Sequence, residues 1–199
     1  MLGLRVFIVF EGIDGVGKSS HIRGVSKFLV QKGIPHISTS EFGNLTIGKL
    51  MKNIMVNYDL DGKEELSIIC AIRSYHYRKV LEPAINANHW ILMDRFVEST
   101  WAYQCGGAQI SEEIVQTFMN MFTLPKPDLT ILLEGRNHRT RKKDKFDFAN
   151  QDFIDRVANK YNERFDHSSW LKYNTNLSYQ TVQNMIINDL GKRFSALVD

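Results

Sequence analysis

The sequence predicts an α/β fold with three layers, helices lying on both faces of a mostly parallel sheet of five strands. Three observations lead there. Short apolar runs alternate with longer segments of helical spacing. The first run, Leu4–Phe10, feeds a glycine-rich turn that opens directly into a helical stretch. Polar and charged side chains collect at the C-terminal ends of the apolar runs, where open sheets of this class bind ligands.

The 199 residues suit one domain, 1–199, with a substantial core. Hydrophobic residues make up 43% and charged residues 24%, an ordinary balance for a globular chain. The net charge of +3 does not by itself imply a nucleic-acid partner, and none is expected. Two cysteines, Cys70 and Cys105, offer neither a disulfide framework nor a zinc site and fit a reducing cytoplasm. No apolar run approaches the roughly 20 residues of a membrane span, and no signal peptide is expected.

Along the chain, Leu4–Phe10 reads as a buried strand and Ser19–Val30 as the helix after it, with Gly33 as its C-cap. Ile34–Thr39 is a second strand. Leu45–Val56 carries helical spacing at Leu45, Ile47, Leu50, Ile54 and Met55. Asp59–Gly62 is a turn. Glu64–Asn88 is a long helical stretch that Pro83 kinks or restarts. Trp90–Asp94 is a short buried strand ending in a carboxylate, Ile110–Phe122 a helix and Leu129–Leu133 a strand. Ile154–Phe165 is amphipathic, Trp170 opens the last strand, and Thr181–Leu197 is the last helix.

Gly12-Ile13-Asp14-Gly15-Val16-Gly17-Lys18-Ser19 fits G-x-x-x-x-G-K-[ST]. Its glycines let backbone N–H groups turn inward around a phosphate. Lys18 reaches the β and γ phosphates, and the Ser19 hydroxyl can ligate Mg²⁺. A helix N-terminus behind the loop favours the anion. The motif lies between a strand and a helix, as the chemistry requires, so the expected fold is that of a P-loop NTPase.

Gly12–Ser19, Ser40–Gly43, Asp94-Arg95 and the segment from Glu134 onward all fall at predicted strand ends and should converge in one cleft. Asp94 could organise Mg²⁺ or a phosphate-bearing group, and Arg95 offers a two-pronged phosphate contact. Arg136, Arg139, Arg141, Lys142, Lys143 and Lys145 form a basic run. It reads as a short lid over 135–147 whose cations close over a transferring phosphoryl group; a solvated loop is the plainer alternative. Phe148, Phe153, Tyr161 and Phe165 read as packing residues, and His76 as a surface helical histidine.

These pieces, in this order, resemble the thymidylate kinase family of nucleoside monophosphate kinases. The resemblance rests on Phe10–Ser19, Ala71-Ile72-Arg73, Asp94-Arg95-Phe96, Ser99–Gln104, Lys126–Thr130 and Asp147–Phe153. It implies ATP- and Mg²⁺-dependent phosphorylation of a deoxynucleoside 5′-monophosphate, with dTMP the leading acceptor, in a homodimer. Carried over by position, Gly12, Gly15, Val16, Gly17, Lys18, Ser19 and Ser20 would bind ATP, and Ser19 and Asp94 the metal. Asp14 would contact the acceptor sugar or its phosphate region, Arg95 the acceptor phosphate, and Arg73 the base edge, with Ser99, Thr100 and Gln104 nearby. Tyr103 would lie against the deoxyribose. Arg139 or Arg141 would supply the catalytic lid cation. Two departures bear on the acceptor: Ser40 stands where the family commonly has an arginine, and Ile69 where it has a base-stacking aromatic. Phe42 and Ile69 would line the base site. A kinase for another or modified pyrimidine nucleotide, or a nucleotide-binding protein without turnover, stays open at this point.

Overall fold

The computed structural model describes residues 5–43, 45–136 and 151–194. β1 (Phe7–Glu11) passes through the glycine loop into α1 (Lys18–Gln31), followed by β2 (His36–Ser40), α2 (Thr46–Asn57) and α3 (Gly62–His76). A π-helical turn, Tyr77–Leu81, joins α3 to α4 (Glu82–Asn86), and β3 (Trp90–Asp94) follows. Next come α5 (Val97–Thr100), which runs on as a π-helical segment, Trp101–Gly107, then α6 (Glu112–Asn120) and β4 (Leu129–Glu134). After them stand α7 (Gln151–Glu163), β5 (Trp170–Asn174) and α8 (Tyr179–Arg193).

All strand pairs are parallel, in the order β2-β3-β1-β4-β5. The expected mostly parallel sheet is therefore wholly parallel across its five strands. β1 lies centrally, with Phe10 level with Asp94 on one side and Ile131 on the other. The chain visits β2 and β3 on one side of β1, then crosses to β4 and β5. That reversal places the topological switch at the C-terminal end of β1, where the glycine loop begins.

Both faces of the sheet are covered, which is why the strands read as continuous apolar runs. Residues alternate across the pleat. Ile8 and Phe10 enter a core with Val25 and Leu29 of α1 and Ile186 and Leu190 of α8. Phe7 and Val9 point the other way, against Leu81, Ala84, Met93 and Phe96. The same alternation sends the Glu11 carboxylate to the Phe7–Val9 face, where it is fully buried.

Pro83 falls in the first turn of α4, where its missing N–H breaks no helical bond, so the long helical stretch continues through the π turn. Asp61 starts α3 with a capping box: its carboxylate accepts from the Lys63 and Glu64 N–H groups at 2.8 Å. The helical segment 97–107 had no visible period in the sequence, because it is short and its register is π rather than α. It lies against α7, and Gly107 permits the approach: a Cβ there would sit 2.4 Å from the Phe153 ring.

Candidate functional site

The glycine loop is built from backbone conformations that few side chains adopt. Gly12, Gly15 and Gly17 have φ of 134°, 81° and 96°. Gly12 is doubly constrained, since a Cβ would fall 2.2 Å from the Leu133 carbonyl oxygen of β4. Lys18 curls back over the loop, its Nζ donating to Gly12 O at 3.0 Å and Ile13 O at 2.9 Å. Burial, and then the nearby Arg95 guanidinium, depress its pKa to about 8. At the start of α1 the Ser19 hydroxyl donates to Asp94 Oδ2 at 2.8 Å, joining the loop to the end of β3.

Arg95 directly follows β3 and holds a left-handed φ of 68°, an unusual conformation for a residue with a side chain. Four hydrogen bonds fix its guanidinium. Nη2 donates to Asp14 Oδ1 at 3.0 Å and to the Tyr103 hydroxyl at 2.8 Å. Nη1 donates to Ser99 Oγ at 3.0 Å and the Tyr161 hydroxyl at 3.1 Å. The side chain keeps 23% exposure, so its remaining surface faces the cleft.

Arg73, expected at the base edge, is held by partners of its own. It is only 2% exposed and forms a two-pronged ion pair with Glu41, through Nε and, at 3.1 Å, Nη2. Nη2 also donates to Phe96 O at 3.2 Å, and Nη1 meets Met119 Sδ at 3.5 Å. Most of its five N–H groups are thus committed within the protein, although it still lines the cleft.

One cavity of about 490 Å³ joins these parts. Gly15, Gly17, Lys18, Ser19 and Ser20 line it from the loop. Asp14, Asp94 and Arg95 line it beside them, and Ser99, Thr100, Tyr103 and Gln104 further along. Phe42, Met55 and Ile69 give it an apolar wall. Thr100 Oγ1 and Gln104 Oε1 are buried with no hydrogen-bond partner among the described residues. Such orphans cost stability unless a ligand completes them.

The structure brings together most of the expected site residues. Gly12 and Val16 do not line the cavity; Val16 is 1% exposed and packs into the core beneath the loop. Arg139 and Arg141 lie outside the described residues. One expectation is corrected and one extended. His76 is not on the surface: it is fully buried, its Nε2 2.7 Å from Thr39 Oγ1, and burial depresses its pKa to about 4. Tyr161 packs as expected but also brings its hydroxyl into the Arg95 cluster. Sequence reading gave no role of their own to Glu11, Glu41 and Lys52, all at the site or beside it. A carboxylate ending an apolar strand was the available signal for Glu11. The Glu41–Arg73 pairing spans 32 residues and left no local trace.

A metal with hard oxygen ligands fits the Ser19–Asp94 pair, which lies at the cavity beside the phosphate loop. No group of three or more His, Cys, Asp or Glu among the described residues could hold a metal. No helix among the described residues is long and apolar enough to cross a membrane.

Comparison with known proteins agrees with this geometry. The thymidylate kinase family profile matches residues 10–186. A thymidylate kinase of Neorickettsia sennetsu is 34% identical over 160 residues, covering 78% of this chain and 79% of its own. One from Prochlorococcus marinus (strain AS9601) is 32% identical over 205 residues, covering 95% and 97%. The crystal structure of thymidylate kinase from Ehrlichia chaffeensis shares the fold, with a TM-score of 0.78 and 22% identity over 94% of this chain and 99% of that one. The wholly parallel sheet, the glycine loop at its switch point and a profile match spanning most of the sequence lead to one conclusion: this chain belongs to the thymidylate kinase family, kinases that use a nucleotide phosphate donor.

Proposed function

We propose that the protein transfers the γ-phosphoryl group of ATP to dTMP, giving dTDP, in a Mg²⁺-dependent reaction. One observation carries the reading. A single cavity holds, at one part, a phosphate loop with a buried lysine and, at another, two buried polar groups that lack partners. The first part suits the donor phosphates and the second a base with a polar edge.

The roles follow from the chemistry. The Gly12–Ser20 loop cradles the ATP phosphates, and Lys18 neutralises charge at the transferring group. Ser19 and Asp94 would hold Mg²⁺, which would neutralise phosphate charge at the transferring group. Arg95 holds the acceptor phosphate, whose attacking oxygen is already an anion and needs no base. Arg139 or Arg141 supplies the cation that stabilises the transition state. Arg73 presents what remains of its guanidinium to the base, and Thr100 and Gln104 complete the base edge. Phe42 and Ile69 cover the base face, Tyr103 sets the room beside the sugar, and Asp14 reaches the sugar or phosphate region while bracing Arg95. We further propose a homodimer, in a single domain with a lid near 135–147. Exposed Leu50 and Tyr58 on and beside α2 support the homodimer as apolar surface. A cytoplasmic setting is in keeping with Cys70 and Cys105 being free.

The test is ADP release from ATP and Mg²⁺ against dTMP, dUMP, dCMP, dAMP, dGMP and 5-substituted dUMP analogues. Preferential turnover of dTMP is expected. The second reading, a modified pyrimidine nucleotide, draws on Ile69 in place of an aromatic and would be preferred if a 5-substituted analogue outran dTMP. ATP binding with no turnover of any acceptor would overturn the assignment.

A further inference from the structure

Glu11 is fully buried at the end of β1, and its carboxylate takes part in four hydrogen bonds. Oε1 accepts from the Phe96 N–H at 2.8 Å and the Ser99 N–H at 3.2 Å. Oε2 accepts from Ser99 Oγ at 2.6 Å and from the Tyr161 hydroxyl at 2.9 Å. Those same two hydroxyls are the partners of Arg95 Nη1. Each hydroxyl has one hydrogen, and a carboxylate can only accept. The two hydroxyls also lie 2.8 Å from each other; whether both hydrogens point at Glu11, or one hydroxyl donates to the other and that one to Glu11, each oxygen turns a lone pair towards Nη1, which can only donate. The Phe96 N–H bond also ties down the backbone just after the left-handed residue that carries the guanidinium.

We propose that Glu11 is the positioning residue for Arg95: it fixes the direction of the Ser99 and Tyr161 hydrogens and so makes both oxygens acceptors for the guanidinium. The inference rests on the reading that Arg95 holds the acceptor phosphate. Glu11 does not touch that phosphate, being fully enclosed. It acts by setting the polarity of the two hydroxyls between it and the arginine. Nη2 is held independently by Asp14 and Tyr103, so loss of the relay would leave Arg95 present but held on one side only.

Glu11→Gln is the decisive variant because it preserves shape and reverses polarity. The amide oxygen keeps the Phe96 and Ser99 N–H bonds. The amide nitrogen then donates where Oε2 accepted; one hydroxyl can give its hydrogen to the other, 2.8 Å away, but the second hydrogen turns towards Nη1 and donor faces donor. The expected result is a rise of roughly 10- to 100-fold in the KM for dTMP, the scale for losing hydrogen bonds to a charged group. The KM for ATP is expected to change by less than about threefold, since the loop is built separately. Tyr161→Phe removes one relayed hydroxyl and leaves the carboxylate intact; it should raise the dTMP KM alone, and by less. Combined with Glu11→Gln it should cost less than the product of the single effects, because both variants disable the same contact.

Arg95→Ala is the reference. If it raises the dTMP KM and Glu11→Gln does not, the positioning role is overturned while the reading of Arg95 stands. If Arg95→Ala leaves the dTMP KM unchanged, both fall. Parallel rises in the two KM values for Glu11→Gln, or strictly multiplicative effects with Tyr161→Phe, would mean general structural damage and overturn the proposal. Should Glu11→Gln yield no folded protein, Tyr161→Phe decides alone: an unchanged dTMP KM overturns the relay.

Discussion

Between Gly12 and Ser19 the cleft is made by backbone, while around Arg73 and Arg95 it is made by side chains that pair with one another. The loop takes its shape from three glycines at positive φ and from one close contact with Leu133 O. The arginines take theirs from partners on other elements: Glu41 after β2, Asp14 in the loop, and Tyr161 on α7. The lesson concerns how far information is spread along the chain. A backbone-built site is specified by eight consecutive residues. A side-chain-built site is specified by pairs up to 150 positions apart. The first tolerates little change at its glycines. The second fails piecemeal, one partner at a time.

Removing an arginine from its buried pair should show the largest effect. Arg73→Ala leaves the Glu41 carboxylate, 5% exposed, without its counter-charge. Such losses cost about 3–5 kcal/mol of folding stability. Denaturant unfolding of Arg73→Ala checks this, and a loss under about 1 kcal/mol would mean that the ion pair matters little to the fold. Next is Lys18→Ala, which should spare stability and lower turnover by roughly 10²–10³-fold, the scale for losing one preorganised charge at a reacting group. Near-normal turnover would erase the distinction between the two regions.

A smaller effect sharpens the comparison in an unusual way. Thr100 Oγ1 is buried and unpartnered, so Thr100→Val should leave stability equal or higher. The dTMP KM should nevertheless rise, by about tenfold for one lost hydrogen bond. If stability falls instead, the hydroxyl already has a protein or water partner. The smallest effect belongs to His76. Its folded pKa of about 4 lies below the unfolded value of 6.5, so the unfolded chain binds more protons between those limits. Stability therefore falls as pH drops below about 6.5, by less than about 1 kcal/mol between pH 7 and 6. Melting curves of the wild type and His76→Gln across that range should diverge in the acid limb.

The sheet, the loop and most helices were legible because burial on both faces and helical periodicity leave local patterns. Trp90–Asp94 carried both its extent and its terminal carboxylate in five residues. The segment Val97–Gly107 did not, because four α residues and seven π residues repeat no recognisable period. His76 misled for a related reason: a polar residue on an apolar stretch looks exposed until Thr39, 37 residues earlier, is folded against it. Arg73 was recognised as important, but its commitment to Glu41 depended on a distant partner.

The burial of Lys18 has a consequence for proton traffic. With its pKa lowered to about 8, the Lys18 ammonium is partly deprotonated in mildly alkaline solution. A polyphosphate arriving beside it favours the charged form and pulls its pKa upward. Nucleotide binding above about pH 8 must then draw protons from the buffer, so affinity should weaken as pH rises there and the heat of binding should depend on the buffer's own ionisation enthalpy. The loop would take up a proton together with its ligand.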